Sequence, residues 1–322
     1  MSVYTSVTTD QLSEFIAHFH QVGEPRDLVG ISQGVENTNY FLTTDRGEYV
    51  LTIFERVPEE DLPFFLNLMA FLSNNDLPVP QPVIDDTGHY KRYLVGKPAA
   101  IVTRLPGKTV YYPSVAHCAA VGRLLGQMHK AGQRFPDSRD NPRGPAWWKD
   151  TADALVNDLA PEEWRLLEDE LTYQYHNRRV DLPRGVVHAD LFHDNALFQG
   201  DELTGIIDLY YACTDVLAYD LAIVANDWCT HPDGTLNPYR TRALLHNYHA
   251  ERPLTRLEEA LWPVMLRGAA LRFWLSRLWD YHHPREGEIT STKDPDTFRA
   301  ILEARRDLPG NAWVGWPEDV SA

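Results

Sequence analysis

His188, Asp190, Asn195 and Asp208 are the residues whose types and order could do chemistry in this chain. They lie in residues 186–212, which read VVHADLFHDNALFQGDELTGIIDLYYA. H-x-D-x-x-x-x-N follows an apolar lead-in, and Asp208 closes the apolar run Gly205-Ile206-Ile207. An alcohol that is to accept a phosphoryl group needs a carboxylate nearby to take its proton, and Asp190 has that character. A magnesium ion held against a triphosphate prefers oxygen ligands, and Asn195 and Asp208 offer two. His188 belongs to the same catalytic loop, where it orients the backbone rather than reacting. Any one of the four could be a turn cap. All four in this order, on this strand pattern, point to phosphoryl transfer from ATP.

A hairpin must bring these groups to one mouth. Residues 196–198 and 203–207 alternate as two short strands, and 199–202, with Gly200 and Asp201, supply turn chemistry. Ahead of them, 11–20 reads as a helix with Leu12, Phe15, Ile16 and Phe19 on one face. Residues 29–44 read as two strands around the loop 34–39. There Gly34, Asn37 and Asn39 could lay polar groups over phosphates, or simply turn a hairpin. A strand over 48–55, a helix over 62–72 and a strand over 99–105 follow, with the rigid Pro78-Val79-Pro80 between. Beyond Pro106-Gly107 the pattern is helical: 114–132, 161–176 with Trp164, Leu167, Leu171 and Tyr175 on one side, 241–248, and a long helix over 257–281. His129, near one helix C-terminus, reads as structural, at a position that favours an imidazolium. Arg272 and Arg277 lie within an apolar stretch and need partners if buried. Either an ion pair or a substrate carboxylate would serve. The tail from 289 reads as peripheral.

Composition narrows the function. A chain of 322 residues with 43% hydrophobic and 24% charged residues is ordinary globular material. Its net charge of −16 disfavours nucleic acid and anionic membrane as partners. Three cysteines without C-x-x-C spacing argue against a disulfide framework or zinc site. No leader-like segment or long apolar run stands out, so a cytoplasmic enzyme, monomer or homodimer, is expected.

The 186–212 stretch resembles the kinase-like phosphotransferases that act on small molecules, the aminoglycoside and choline kinases among them. That resemblance implies an α+β, two-lobed protein-kinase-like fold. Residues 1–105 would be an N-lobe of five strands plus helix, and 106–322 a helical C-lobe with the catalytic loop and substrate site. It implies ATP and Mg2+ as cofactors, Asp220 as structural anchor of the loop, and the hinge residues Arg104 and Leu105 near the nucleotide. The usual strand lysine is replaced by Thr52, and Lys97 and Arg104 are candidate substitutes. Further segments, among them Tyr49-Val50-Leu51-Thr52, Asn226-Asp227-Trp228-Cys229 and the stretch 272–278, resemble the bacterial homoserine kinases of this fold. In that branch Thr52 is the ordinary residue. The implied substrate is L-homoserine, with Arg272 for its carboxylate and Asp227 for its ammonium. An aminoglycoside, choline, ethanolamine or methylthioribose kinase, or a nucleotide-binding pseudokinase, are the alternatives.

Overall fold

A computed structural model describes residues 4–32, 37–179, 181–284, 293–308 and 316–318. The chain divides into two compact units, residues 1–107 with 204–210, and 108–203 with 211–322.

The first unit is a sheet with two helices. Helix α1 (Thr9–Ile16) starts at a reciprocal cap: Thr8 Oγ1 accepts from Gln11 N, and Gln11 Oε1 accepts from Thr8 N. It begins and ends earlier than expected, but Phe19 stays buried with Leu12, Phe15 and Ile16. Strands β1 (Pro25–Gly30), β2 (Thr38–Thr44) and β3 (Glu48–Ile53) precede helix α2 (Leu62–Ser73), then β4 (Lys91–Leu94) and β5 (Lys97–Thr103). The five are antiparallel, in the order β1-β2-β3-β5-β4. The β2–β3 turn closes because Thr44 Oγ1 accepts from both Arg46 N and Gly47 N. Register sets Asn39 opposite Thr52, and Thr52 opposite Ala100. Side chains alternate along a strand. Tyr40, Leu42, Leu51, Ile53, Ala99 and Ile101 therefore share the face that buries with α1, and Asn39, Thr52 and Ala100 share the other. Residues 204–210 join this unit through Ile206 N to Pro78 O (2.9 Å) and Thr204 Oγ1 to Pro106 O (2.6 Å). Gly205 packs closely there: a Cβ would stand 2.6 Å from Leu105 Cδ1, and the leucine side chain would have to shift to admit it.

The second unit is mainly helical. Helices α3 (Val115–Gly132), α4 (Pro145–Leu155) and α5 (Pro161–Asn177) lead to β6 (Arg184–Val187) and β7 (Ala196–Gln199). Strand β8 (Glu202–Ile206) pairs with β7 around Gly200, whose φ is +62°. Then come β9 (Cys213–Val216), paired antiparallel with β6, and helices α6 (Leu217–Trp228), α7 (Pro238–Glu251), α8 (Arg256–His282) and α9 (Pro295–Arg306). No helix among the described residues is long and apolar enough to cross a membrane.

Two expectations fail here. On α5 the buried positions are Leu167, Glu170 and Gln174, while Tyr175 is 84% exposed. Polar residues face inward because Arg267 of α8 binds both oxygens of Glu170 (3.0–3.1 Å from Nε), a pairing invisible to an apolar-stripe argument. The tail is not peripheral either. Helix α9 packs on α8 and buries Phe298, Ile301, Leu302 and Arg305. Arg305, 2% exposed, donates to Asn226 Oδ1 (2.9 Å), Gly234 O (2.8 Å) and Thr230 Oγ1 (2.7 Å).

Candidate active site

In the second unit, β6 delivers the chain to a loop that α6 grips at both ends. Asp220 and Asp227 are seven residues apart on α6, two turns, and so lie on one face. At the start of the loop Asp220 accepts from His188 N (2.7 Å) and Ala189 N (2.8 Å). Ala189 has φ +61°, a left-handed conformation that costs a non-glycine residue roughly 1–2 kcal/mol. The two bonds to Asp220 offset that cost. At the far end Asp227 Oδ2 bonds His193 N and Nδ1, each at 2.7 Å, and Trp228 Nε1 donates to Leu191 O (3.0 Å).

Behind Asp220 runs a buried chain of hydrogen bonds. His129 Nε2 reaches Asp220 Oδ2 (3.0 Å), its Nδ1 meets Tyr248 Oη (2.7 Å), and Arg252 joins Tyr248 (3.3 Å) to Glu258 (2.6 Å). Burial lowers the His129 imidazole against the pull of Asp220, so the ring is neutral, donating from Nε2 and accepting at Nδ1. His129 is thus structural, as expected, although burial works against the imidazolium that its helix position would favour. Burial works to raise the Asp220 carboxyl too. The His129 bond and the His188 backbone bond outweigh it and hold Asp220 below the usual range.

Asp190 emerges from this frame with its side chain 19% exposed. Its N–H donates to His188 Nδ1 (3.3 Å), so the fully buried His188 positions the loop. Asn195 Nδ2 donates to Asp190 O (2.8 Å) and Oδ2 (3.3 Å), which leaves the amide oxygen Oδ1 available as a ligand. On α8, Arg272 is 6% exposed and places Nη1 3.7 Å from Asp190 Oδ1. Its guanidinium lies over the rings of Phe273 (3.8 Å) and Tyr211 (5.2 Å). Among the described residues none accepts a hydrogen bond from it. Arg277 is different: it donates to Asp294 O (2.9 Å), and burial lowers it against the opposing fields of Asp227, Asp294, Asp194 and Asp190. Asp227 holds His193 by a hydrogen bond that raises that imidazole, a contact its sequence context did not reveal.

In the first unit, Thr52 is 2% exposed and donates to Asn39 Oδ1 (2.8 Å). Tyr210 hydrogen-bonds Thr52, and burial pushes its phenol up so that it stays protonated. Tyr210 is in turn wedged edge-on between Phe54 (5.3 Å) and Phe65 (5.9 Å). Thr52 therefore ties Asn39 to the segment carrying Asp208, which is itself exposed at φ +65°. Asn37 is buried, its Oδ1 accepting from Glu55 N (3.4 Å). Gly34 lies outside the described residues.

Neither substitute cation stands beside Thr52. Lys97 shares the α1 face by strand parity and is ion-paired to Glu55. Burial works to raise Glu55, but its bonds from Lys97, Thr38 and Thr5 hold it low. Arg104 lies next to Leu105 at the other end of β5, over Phe41 (4.1 Å) and beside Glu48 (3.3 Å). Tyr210 and His193 escaped the sequence argument. The seven-residue spacing of Asp220 and Asp227 was the one signal that both carboxylates face the loop.

Comparison with known proteins sets this geometry in context. Residues 27–254 match the phosphotransferase enzyme family. The chain is 48% identical to the homoserine kinase of Methylobacillus flagellatus, across 98% of this chain and 99% of that one. It is 45% identical to the homoserine kinase of a Janthinobacterium species, across 95% and 96%. Among solved structures it resembles a choline kinase from Cryptosporidium parvum (TM-score 0.68, 14% identity, 95% and 99% covered). It is likewise similar to the amicoumacin kinase hAmiN in complex with AMP-PNP and Ca2+ (TM-score 0.68, 15% identity, 93% of each covered). At such identities the likeness is one of fold, the kinase-like α+β architecture.

Proposed function

The chain belongs to the phosphotransferase enzyme family, and we infer that it is a homoserine kinase, moving the γ-phosphoryl group of ATP to the hydroxyl of L-homoserine to give O-phospho-L-homoserine. Relatives of that name match at 42–48% identity over nearly the whole chain. The structural observation that supports this substrate is Arg272, an almost buried guanidinium 3.7 Å from Asp190 Oδ1, with no hydrogen-bond acceptor among the described residues. An amino acid brings what such a group lacks, a carboxylate that arginine binds in a fork. Choline and ethanolamine have no such group.

The residues then take distinct parts. Asp190 accepts the proton of the homoserine hydroxyl, and His188 and Asp220 hold it in place. Arg272 binds the carboxylate. Asp227 offers the ammonium the oxygen that His193 does not use. Asn37, Asn39, Thr52, Arg104 and Leu105 serve the nucleotide, with Thr52 acting through Asn39 rather than as a cation.

Magnesium suits the donors present. Among the described residues no three His, Cys, Asp or Glu side chains converge as a metal cage. Magnesium needs none, since it takes one or two protein oxygens alongside phosphate and water. Asn195 and Asp208 are the proposed protein ligands, and the ion would neutralise phosphate charge.

Coupled ADP release with magnesium-ATP tests the assignment, using L-homoserine, L-serine, L-threonine, choline, ethanolamine and kanamycin as acceptors. The expected result is turnover on homoserine far above the rest, abolished by chelation, restored by Mg2+, and reduced ~10²–10⁴-fold in Asp190→Ala. Preference for another alcohol would discard the substrate. Nucleotide binding without turnover on any acceptor would discard the enzyme.

A further inference from the structure

We propose that Phe298 of α9 is a positioning residue that sets the spacing between Asp190 and Arg272, and with it the length of amino acid accepted. This rests on Asp190 as the base and Arg272 as the carboxylate clamp.

Arg272 Nη1 stands 3.7 Å from Asp190 Oδ1, longer than a hydrogen bond. Such a contact does not fix its own length, so the packing around it does. The two side chains come from separate elements, Asp190 from the loop after β6 and Arg272 from α8. Each element offers a ring beside its functional residue. Phe192 N donates to Asp190 O (2.8 Å) and Phe192 O accepts from Asn195 N (2.9 Å), so Phe192 moves with the base. Phe273 follows Arg272, and its ring centre lies 3.8 Å from the Arg272 guanidinium.

Phe298 joins the two. Its ring centre is 6.0 Å from that of Phe192, nearly parallel at 13°, and 5.2 Å from that of Phe273. Phe192 and Phe273 are themselves 4.5 Å apart, and all three rings are buried. Rings at such distances are in contact. Helix α9 is clipped in place just ahead of its first turn. Lys293 Nζ lies 3.2 Å from Asp194 Oδ2 of the catalytic loop. Arg277 of α8 donates to Asp294 O (2.9 Å), with its guanidinium 4.5 Å over the Phe298 ring. Close-packed interiors transmit displacement. A flexible side chain at position 298 therefore lets the loop and α8 shift against each other. L-homoserine must reach Arg272 with its carboxylate and Asp190 with its hydroxyl, across a set run of carbons. L-serine is one methylene shorter. A rigid spacing rejects the shorter chain, and a loosened one discriminates less.

The test sets L-homoserine against L-serine in one reaction with magnesium-ATP and quantifies both phosphorylated products by mass spectrometry. Their ratio reports relative kcat/KM and is independent of the amount of folded enzyme. Phe298→Met keeps most of the volume without the ring. Its preference for homoserine should fall about tenfold, on the scale of one methylene. Its kcat/KM for homoserine should fall about 10- to 100-fold, as for a small misplacement of reacting groups. Phe298→Tyr keeps the ring but buries a hydroxyl, so it should melt lower and retain the wild-type preference. An unchanged preference in Phe298→Met would overturn the proposal. So would a preference that falls in step with melting temperature in both variants, which marks a core residue and nothing more. If Phe298→Met does not fold, Phe192→Met removes the same contact from the loop side and carries the same expectations. Failure of the substrate assignment would appear earlier, as wild-type enzyme that does not phosphorylate homoserine.

Discussion

Asp220→Asn is the sharpest perturbation of the catalytic frame, because it is isosteric and removes only charge and one acceptor. Three donors end on this carboxylate: His188 N, Ala189 N and His129 Nε2. An amide offers them one oxygen and one NH2, so at least one buried N–H loses its acceptor and faces another donor. An orphaned buried group costs ~1–3 kcal/mol, and the remaining bonds lose charge assistance worth roughly 1 kcal/mol each. Relief from burying a charge returns part of this, leaving about 3 kcal/mol. At roughly 2–4 °C per kcal/mol for a unit of this size, Tm should fall about 10 °C. Ala189 holds its left-handed φ only while both backbone bonds persist, so Asp190 should shift as well. A displacement near 1 Å in a reacting group can cost ~10²-fold, and kcat should drop by that order. Thermal melts and ADP-release assays on one preparation measure both. A variant that melts within ~2 °C of wild type and keeps about a third of its kcat would refute the claim that Asp220 holds the loop.

The neutral His129 predicts a pH dependence. Its folded pKa lies below the ordinary value, so its contribution is fully present above about pH 6.5 and is lost as pH falls through the folded value. Asp220, also lowered, adds a second loss below about pH 4. His193 is raised and works in the opposite sense, so the informative quantity is the stability difference between wild type and His129→Gln. That difference should shrink on acidification from pH 8 to 5, and a constant difference would mean the ring is not neutral. Arg305→Met should destabilise by ~3 kcal/mol or more in denaturant melts, since two buried acceptors and one half-buried acceptor lose their donor; a neutral effect would return α9 to the periphery. Thr52→Val should raise the KM for ATP severalfold and leave that for homoserine unchanged, because Asn39 and Tyr210 lose their common partner.

Much of this protein is legible in its sequence where function depends on local order. The H-x-D-x-x-x-x-N loop, the hairpin after it and the five-strand pattern follow from spacing and turn chemistry, which are short-range. The amphipathic stripe of α1 and the apolar run of α2 are of the same kind. Tertiary structure decided the rest, because polar partners come from anywhere in the chain. Glu170 is buried only because Arg267, 97 residues away, meets it. His129 is neutral only because α3, α6 and α7 close over it. Arg272 reads equally as half of an ion pair or as a ligand clamp until its neighbours are known. The fold places its Nη1 3.7 Å from Asp190 Oδ1 and its guanidinium over the rings of Phe273 and Tyr211. Periodicity records which side chains avoid water, but the partner of a buried charge is fixed by three-dimensional packing alone.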